Sequence, residues 1–254
     1  MATYKKRGYK PKTKKEKEEV FEEDSTTAEV FNTLDEGASK AEEWAVKNQK
    51  YIIGLVGAVA LIVLAYLAYN KMIAEPKQKD AMNEMYTAKK YFDDAVNGTS
   101  SDSLYRMSLD GGEGKYGMLD IINEYGGSPA ANLANYYAGM AYLNLKDYEK
   151  AIEHLSDFST DEKITNPMSK GSIGDAFVQL NQLPEGLDYY EKAFKANVND
   201  YTTPMFLMKA ARVAIRLEQN QKALDYLNRI KSEFSASNEA KDADVYIGMV
   251  EVKL

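Results

Sequence analysis

The chain has 254 residues, a formal net charge of −7, a single histidine and no cysteine. The missing thiol removes disulfides, cysteine metal sites, thiol catalysis and lipid attachment through cysteine, and one histidine cannot build a His-based triad or a multi-histidine metal site. Residues 1–50 carry 11 basic and 11 acidic side chains, so the whole acidic surplus lies beyond them and argues against a nucleic-acid-binding face there.

Residues 1–25 run from a basic block, with eight Lys/Arg between Lys5 and Lys17, into an acidic one. Almost no aliphatic side chain is present to offset the entropy lost on folding, so this stretch reads as a disordered charged tail. Two readings of the basic block stay open. It could attach to anionic lipid headgroups or to ribosomal RNA, or it could be a solvated topogenic tail, the usual meaning of a charge run. Over residues 26–50 Val30, Phe31, Leu34, Ala38, Ala41, Trp44 and Ala45 recur at helical spacing. That pattern predicts an amphipathic juxtamembrane helix, lying on the membrane face with Trp44 at the interface or packing on a partner.

Residues 51–70, YIIGLVGAVALIVLAYLAYN, hold no charge between Lys50 and Lys71. A helix of that length matches the hydrocarbon thickness of a bilayer, about 30 Å at about 1.5 Å per residue. Tyr51, Tyr66 and Tyr69 sit at its ends, where amphipathic rings favour the lipid–water boundary. The head before it is too long for a cleaved secretory signal, and no A-x-A site closes the run. A single transmembrane helix is therefore expected, retained in the mature protein. Close to the membrane the count disfavours an inside N-terminus, with Lys40, Lys47 and Lys50 against Lys71, Lys77, Lys79, Lys89 and Lys90. The rule discounts long translocated domains, however, and the Lys-rich tail is read as cytoplasmic with the large domain outside. Gly54, Ala58, Ala65 and Ala68 lie near one face, where small side chains let a second helix approach.

Beyond the span, residues 71–254 form the main domain. Pro76 suits the first turn of a helix, and Met82, Met85, Tyr86, Ala88, Lys89 and Phe92 extend a helical pattern over 77–97. A polar, Gly-rich interruption follows to Gly114, with a short helix expected at Ser103–Met107. Asn97-Gly98-Thr99 is formally a glycosylation sequon, a triplet common by chance. From Gly117 the chain repeats itself: the small residues Gly117, Ala151, Gly186 and Ala223 are 34, 35 and 37 apart. A period near 34 is that of the tetratricopeptide repeat (TPR), a pair of antiparallel helices. In units starting at Asn132, Pro167 and Pro204, position eight is Gly139, Gly174 or Ala211, and position twenty is Ala151, Gly186 or Ala223. Small residues at these places let the two helices of a unit approach closely, and bulky ones at eleven and twenty-four fill the space between units. The fold expected is all-α: one N-terminal transmembrane helix, then a TPR-type α-solenoid. Its parts would be a degenerate repeat over 77–131, repeats over about 132–166, 167–203 and 204–237, and a capping helix over 238–252.

The chain shows no constellation for catalysis. His154, on the second helix of a repeat, reads as a surface or packing residue. Gly111-Gly112-Glu113-Gly114-Lys115 fails the phosphate-loop pattern, with Leu109 where the first Gly belongs and Tyr116 after the lysine. It reads as a flexible joint. No enzyme, cofactor or metal is expected. TPR units bind extended peptides on the concave face lined by their first helices. In the repeat frame that face carries Tyr136, Met140, Leu143, Asp175, Gln179, Met208, Arg212 and Arg216. Met and aromatic side chains give adaptable apolar contact and Arg adds hydrogen-bonding reach, although Tyr136, Met140 and Leu143 could equally pack against the next repeat.

The order of tail, span, degenerate unit and regular TPR units resembles the YfgM family of bacterial inner-membrane proteins. The echoes are the run from Trp44 through the span to Pro76, then Tyr116–Pro129 and Asn132–Phe158, and the wording of the repeats resembles the Bacteroidetes branch. The resemblance implies an ancillary subunit of the Sec translocon. Such a protein is anchored in the bilayer with its TPR domain in the periplasm. It works beside a membrane-anchored chaperone or prolyl isomerase and receives secretory polypeptides. The alternative is a TPR scaffold for another envelope assembly, in outer-membrane biogenesis or cell division.

Overall fold

The computed structural model describes residues 42–98 and 102–252. The charged tail, most of the predicted juxtamembrane helix and Thr99 of the sequon lie outside the described residues. Residues 42–47 are helical, with Trp44 exposed. The described chain divides into two units, one ending at Tyr69 and one starting at Asn70.

The first unit is dominated by α1 (Gln49–Tyr69), none of whose residues is buried. By length and composition it is able to cross a bilayer. Gly54, Ala58, Ala65 and Ala68 are all exposed, and the space where a Gly54 side chain would stand is open.

The second unit opens with a π-helical segment, Asn70–Ala74, that leads into α2 (Glu75–Asn97). Proline at position 76 has no N–H to donate, and its ring would crowd the carbonyl one turn earlier. A wider π turn before it removes that conflict. The buried face of α2 is Ala81, Met85, Ala88, Phe92 and Ala95. Met82 and Tyr86, which the sequence pattern included, stand one position off that stripe and are exposed.

The short helices α3 (Asp102–Asp110) and α4 (Met118–Glu124) follow. The Gly-rich stretch between them is a fixed turn and not a flexible joint. Gly112 and Lys115 exchange both backbone hydrogen bonds, at 3.3 and 2.9 Å, around Glu113 and Gly114, which both have positive φ. Two successive positive-φ residues define a type I′ turn, and glycine at the second lowers its cost.

Three helix pairs then stack: α5 (Pro129–Asn144) with α6 (Tyr148–Asp157), α7 (Thr165–Gln179) with α8 (Leu183–Ala196), and α9 (Thr202–Arg216) with α10 (Asn220–Glu233). A last helix, α11 (Asn238–Glu251), packs on the third pair. Pro129 is the first residue of α5, which is capped by Ser128 Oγ accepting from Ala131 N at 3.1 Å. The small residues of the repeat frame are where the helices of a pair touch. Ala151, Ala211 and Ala223 are fully buried, and a Cβ on Gly139 would lie 2.5 Å from Leu155 Cγ. Leu155, Tyr190 and Leu227, at position twenty-four, are all buried. Apolar packing gathers in two clusters: one joins α2–α5 with Ala151 of α6, and the other runs from α8 to α11.

The turn inside each pair is the same device three times. Lys146, Asn181 and Glu218 adopt the left-handed conformation, with φ of 63°, 61° and 59°. In each, the N–H of the left-handed residue and the N–H after it reach back to the helix: Lys146 to Leu143 O, Asp147 to Tyr142 O, and so on at 2.9–3.2 Å. This Schellman closure satisfies helix-end carbonyls and normally favours glycine at the left-handed position. Glu218 adds a carboxylate at the negative end of the helix dipole. Glu218→Gly is therefore expected to raise stability by about 0.5–1 kcal/mol, read from the urea midpoint. Glu218→Ala keeps the backbone cost and should gain less.

Candidate interaction cleft

The first helices of the three pairs, α5, α7 and α9, present a continuous cleft. One cavity of about 220 Å³ is lined by Asp175 and Val178 of α7, Tyr190 of α8, and Lys209, Arg212, Val213 and Arg216 of α9. A second, of about 510 Å³, shares Asp175, Val178, Tyr190 and Lys209 with it and extends to Leu143, Asn144, Lys146, Tyr148 and Gln179.

A fixed polar knot sits where the two cavities meet. Lys209 Nζ donates to both carboxylate oxygens of Asp175 at 2.7 Å. Tyr190 Oη donates to Asp175 Oδ1 at 2.6 Å. Burial pushes the Tyr190 phenol far above its usual range, and the Asp175 charge and hydrogen bond add to it. Tyr190 therefore stays a neutral donor at any physiological pH. The Lys209 ammonium also lies 5.8 Å from the Tyr190 ring centre and 5.6 Å from that of Phe206, within cation–π range. Lys209 is thus held in place before any ligand arrives. By contrast, Arg212 and Arg216 are exposed and form no ion pair with any described residue.

Of the residues the repeat frame assigned to the concave face, Leu143, Asp175, Gln179, Arg212 and Arg216 come together in this cleft. Three do not. Tyr136 packs on Phe158 and Tyr137, at ring separations of 5.1 and 5.8 Å, and burial raises its phenol pKa. Met140 packs on the first apolar cluster, and Met208 is buried in the second. In their place the structure supplies Lys209, Tyr190, Val178 and Tyr148, of which Lys209 stands one residue from the Met208 that the frame selected.

Other hollows are lined in part by groups already occupied. In one of about 470 Å³ beside Arg106 and Asp110, Lys150 pairs with Asp147 at 3.2 Å and lies 5.1 Å from the Tyr142 ring centre. His154 is a packing residue. It stacks on Tyr142 at 5.4 Å, Nδ1 donates to Asn135 Oδ1 at 2.9 Å, and burial holds its pKa below the ordinary value. No group of His, Cys, Asp and Glu suited to a metal ion occurs among the described residues.

The second and third pairs are tied by Glu191. It accepts from Lys195 at 2.8 Å, Lys222 at 2.5 Å and Tyr226 Oη at 2.8 Å. Burial alone would push this carboxyl up, but the three donors outweigh it and hold its pKa at about 2. A depressed folded-state pKa contributes stability above the unfolded value near 4.5, and that stability is lost as pH falls toward 2. Glu191→Gln should lose on the order of 2 kcal/mol at pH 7 and little near pH 2, measured as denaturant midpoints at both.

TPR family models match residues 133–161 and residues 172–238. Two crystal structures of a Podosopora anserina putative kinesin light chain with nearly identical TPR-like repeats, one of them a single-residue variant, are similar in fold. Each is 11% identical, with a TM-score of 0.50 over 69% of this chain and 87% of that one. A comparison with curated proteins gave no match. The small-residue contacts, the three matching turns and these likenesses agree: beyond the apolar helix, the described residues fold as a helical TPR-type solenoid.

Proposed function

We propose that this protein is a membrane-anchored, non-enzymatic scaffold that holds segments of other proteins in the α5–α7–α9 cleft. The carrying observation is the cleft itself. Three consecutive first helices give it apolar walls at Leu143, Val178 and Val213, a polar knot fixed in advance, and two arginines outside any ion pair among the described residues. Such a surface suits extended polypeptide, because apolar contact supplies area and the cations supply direction. The exposed apolar helix α1 supports anchoring in a bilayer.

The finer reading follows the resemblance to the YfgM family. The N-terminus lies in the cytoplasm and the solenoid in the periplasm. The protein serves as an ancillary subunit of the Sec translocon, beside a membrane-anchored chaperone or prolyl isomerase, and its clients are secretory polypeptides. Protease added to spheroplasts is expected to degrade the solenoid and spare a tag at Met1; the reverse pattern overturns the orientation. Translocon subunits should co-purify with the full chain, and Gly54→Leu with Ala58→Leu should weaken that association by blocking close approach of α1. Recovery of an outer-membrane-biogenesis or division complex instead would favour the alternative scaffold.

A further inference from the structure

We infer that the α7–α9 end of the cleft selects acidic polypeptide segments, with Arg212 and Arg216 as the residues that read the carboxylates; this rests on the peptide-binding reading above. The argument begins with charge. Beyond residue 50 acids outnumber bases by seven, so a cation on this surface has abundant candidates for pairing. Most lysines of the second and third pairs find them: Lys192 meets Asp188 at 2.7 Å, Lys195 and Lys222 meet Glu191, Lys209 meets Asp175 and Lys231 meets Asp244, while Lys170 donates to Asn166 Oδ1. Arg212 and Arg216 have no such ion pair among the described residues, although both line a cavity.

They also stand four residues apart on α9, so their like charges face each other along one side of the helix, an arrangement that costs the free protein stability. The one carboxylate in the cavity does not relieve them. Asp175 already accepts two contacts from Lys209 and one from Tyr190. The cavity lining is therefore one carboxylate against three cations, with two guanidinium groups unneutralised. A guanidinium offers a planar fork of donors that matches a carboxylate better than an ammonium does. Val178 and Val213 beside them give apolar contact to the stem of a Glu or Asp side chain or to a neighbouring aliphatic residue. Toward α5 the cleft adds Leu143 and Tyr148 together with Asn144 and the cationic Lys146, so an occupant carrying apolar side chains beside its acids matches that end as well.

The test uses the full chain in nanodiscs of zwitterionic lipid, with three fluorescent twelve-residue peptides of one Leu-containing sequence. One carries Glu at four positions, the second Gln and the third Lys. The Glu peptide should bind about tenfold or more tightly than the Gln peptide, and this margin should shrink as salt is raised. Arg212→Gln with Arg216→Gln should abolish the margin, the Glu peptide then binding no more tightly than the Gln peptide. Arg212→Glu with Arg216→Glu should transfer the preference to the Lys peptide. Both side chains are exposed, so each double variant should keep a cooperative melting transition, and the Gln variant should melt at the unmodified temperature or slightly above it because the like-charge pair is gone. Equal binding of Glu and Gln peptides by the unmodified chain overturns the acidic preference and leaves the peptide-binding cleft standing. Binding of none of the three overturns both. Arginine-dependent flotation with phosphatidylglycerol vesicles, in place of an acidic-peptide margin, overturns the peptide assignment in favour of lipid headgroups.

Discussion

Gly171→Ala is expected to destabilise the solenoid by on the order of 2–3 kcal/mol, a large penalty for one methyl group. Gly171 is buried on α7, and a Cβ built there would stand 1.8 Å from Cε1 and 2.1 Å from Cζ of Phe206 on α9. Those atoms belong to a rigid ring that is itself fully buried, so the ring and its helix must move. Alanine's better helix propensity, about 1 kcal/mol, offsets only part of this. The same substitution at Gly248 on α11, where nothing lies within 4 Å of the added atom, should stabilise by about that propensity difference. Phe206→Leu should cost less in the Gly171→Ala background than alone, because the smaller side chain vacates the space the methyl needs. Denaturant melts of the single and double variants measure this. Equal losses at Gly171 and Gly248, or strict additivity with Phe206→Leu, would mean the two helices do not meet as described.

The second large effect concerns α1. Val59→Lys with Ile62→Lys places two ammonium groups at the middle of the apolar run, each costing about 2.5–3.5 kcal/mol at the centre of a bilayer. The unmodified chain should stay in the membrane pellet through alkaline carbonate extraction, and the double variant should move to the supernatant. Because no α1 residue is buried, the solenoid's melting transition should be unchanged by the same substitutions. A variant that remained in the pellet, or one whose solenoid unfolded, would show α1 to be packed against protein instead of lipid.

Much of this architecture is legible in the residues alone. The repeat period can be read because close helix contact tolerates only small side chains, so Gly139, Ala151, Gly186 and Ala223 recur where geometry leaves no room. The apolar span can be read from the absence of charge. The cleft is less legible, and Met208 shows why. A stripe taken every four residues, Met208, Arg212, Arg216, advances about 40° per step around a helix of about 3.6 residues per turn. Its later members reach the cleft while its first does not. The rotation of α9 is set by Phe206 seated over Gly171, a contact between residues 35 apart that no local pattern encodes. Lys209 lies within about 60° of Phe206 on the helix and turns to Asp175, whereas Met208 lies about 160° away and turns into the core. Tyr136 differs for another reason: its aromatic partner Phe158 follows α6, and aromatic character alone does not separate a packed ring from an exposed one. The turn at Gly111–Lys115 reads wrongly from sequence because glycine permits flexibility and tight hydrogen-bonded turns alike.

The account stands most directly on what touches the cleft in the cell. A photoreactive residue placed at Gln179, exposed on the cleft wall, should crosslink to a secretory chain arrested during passage through the membrane. The same probe at Gln221, exposed on α10 outside the cleft, should give no such product. Crosslinks from Gln221 with none from Gln179, or equal labelling from both, would contradict the claim that this protein works by holding polypeptide segments between α5, α7 and α9.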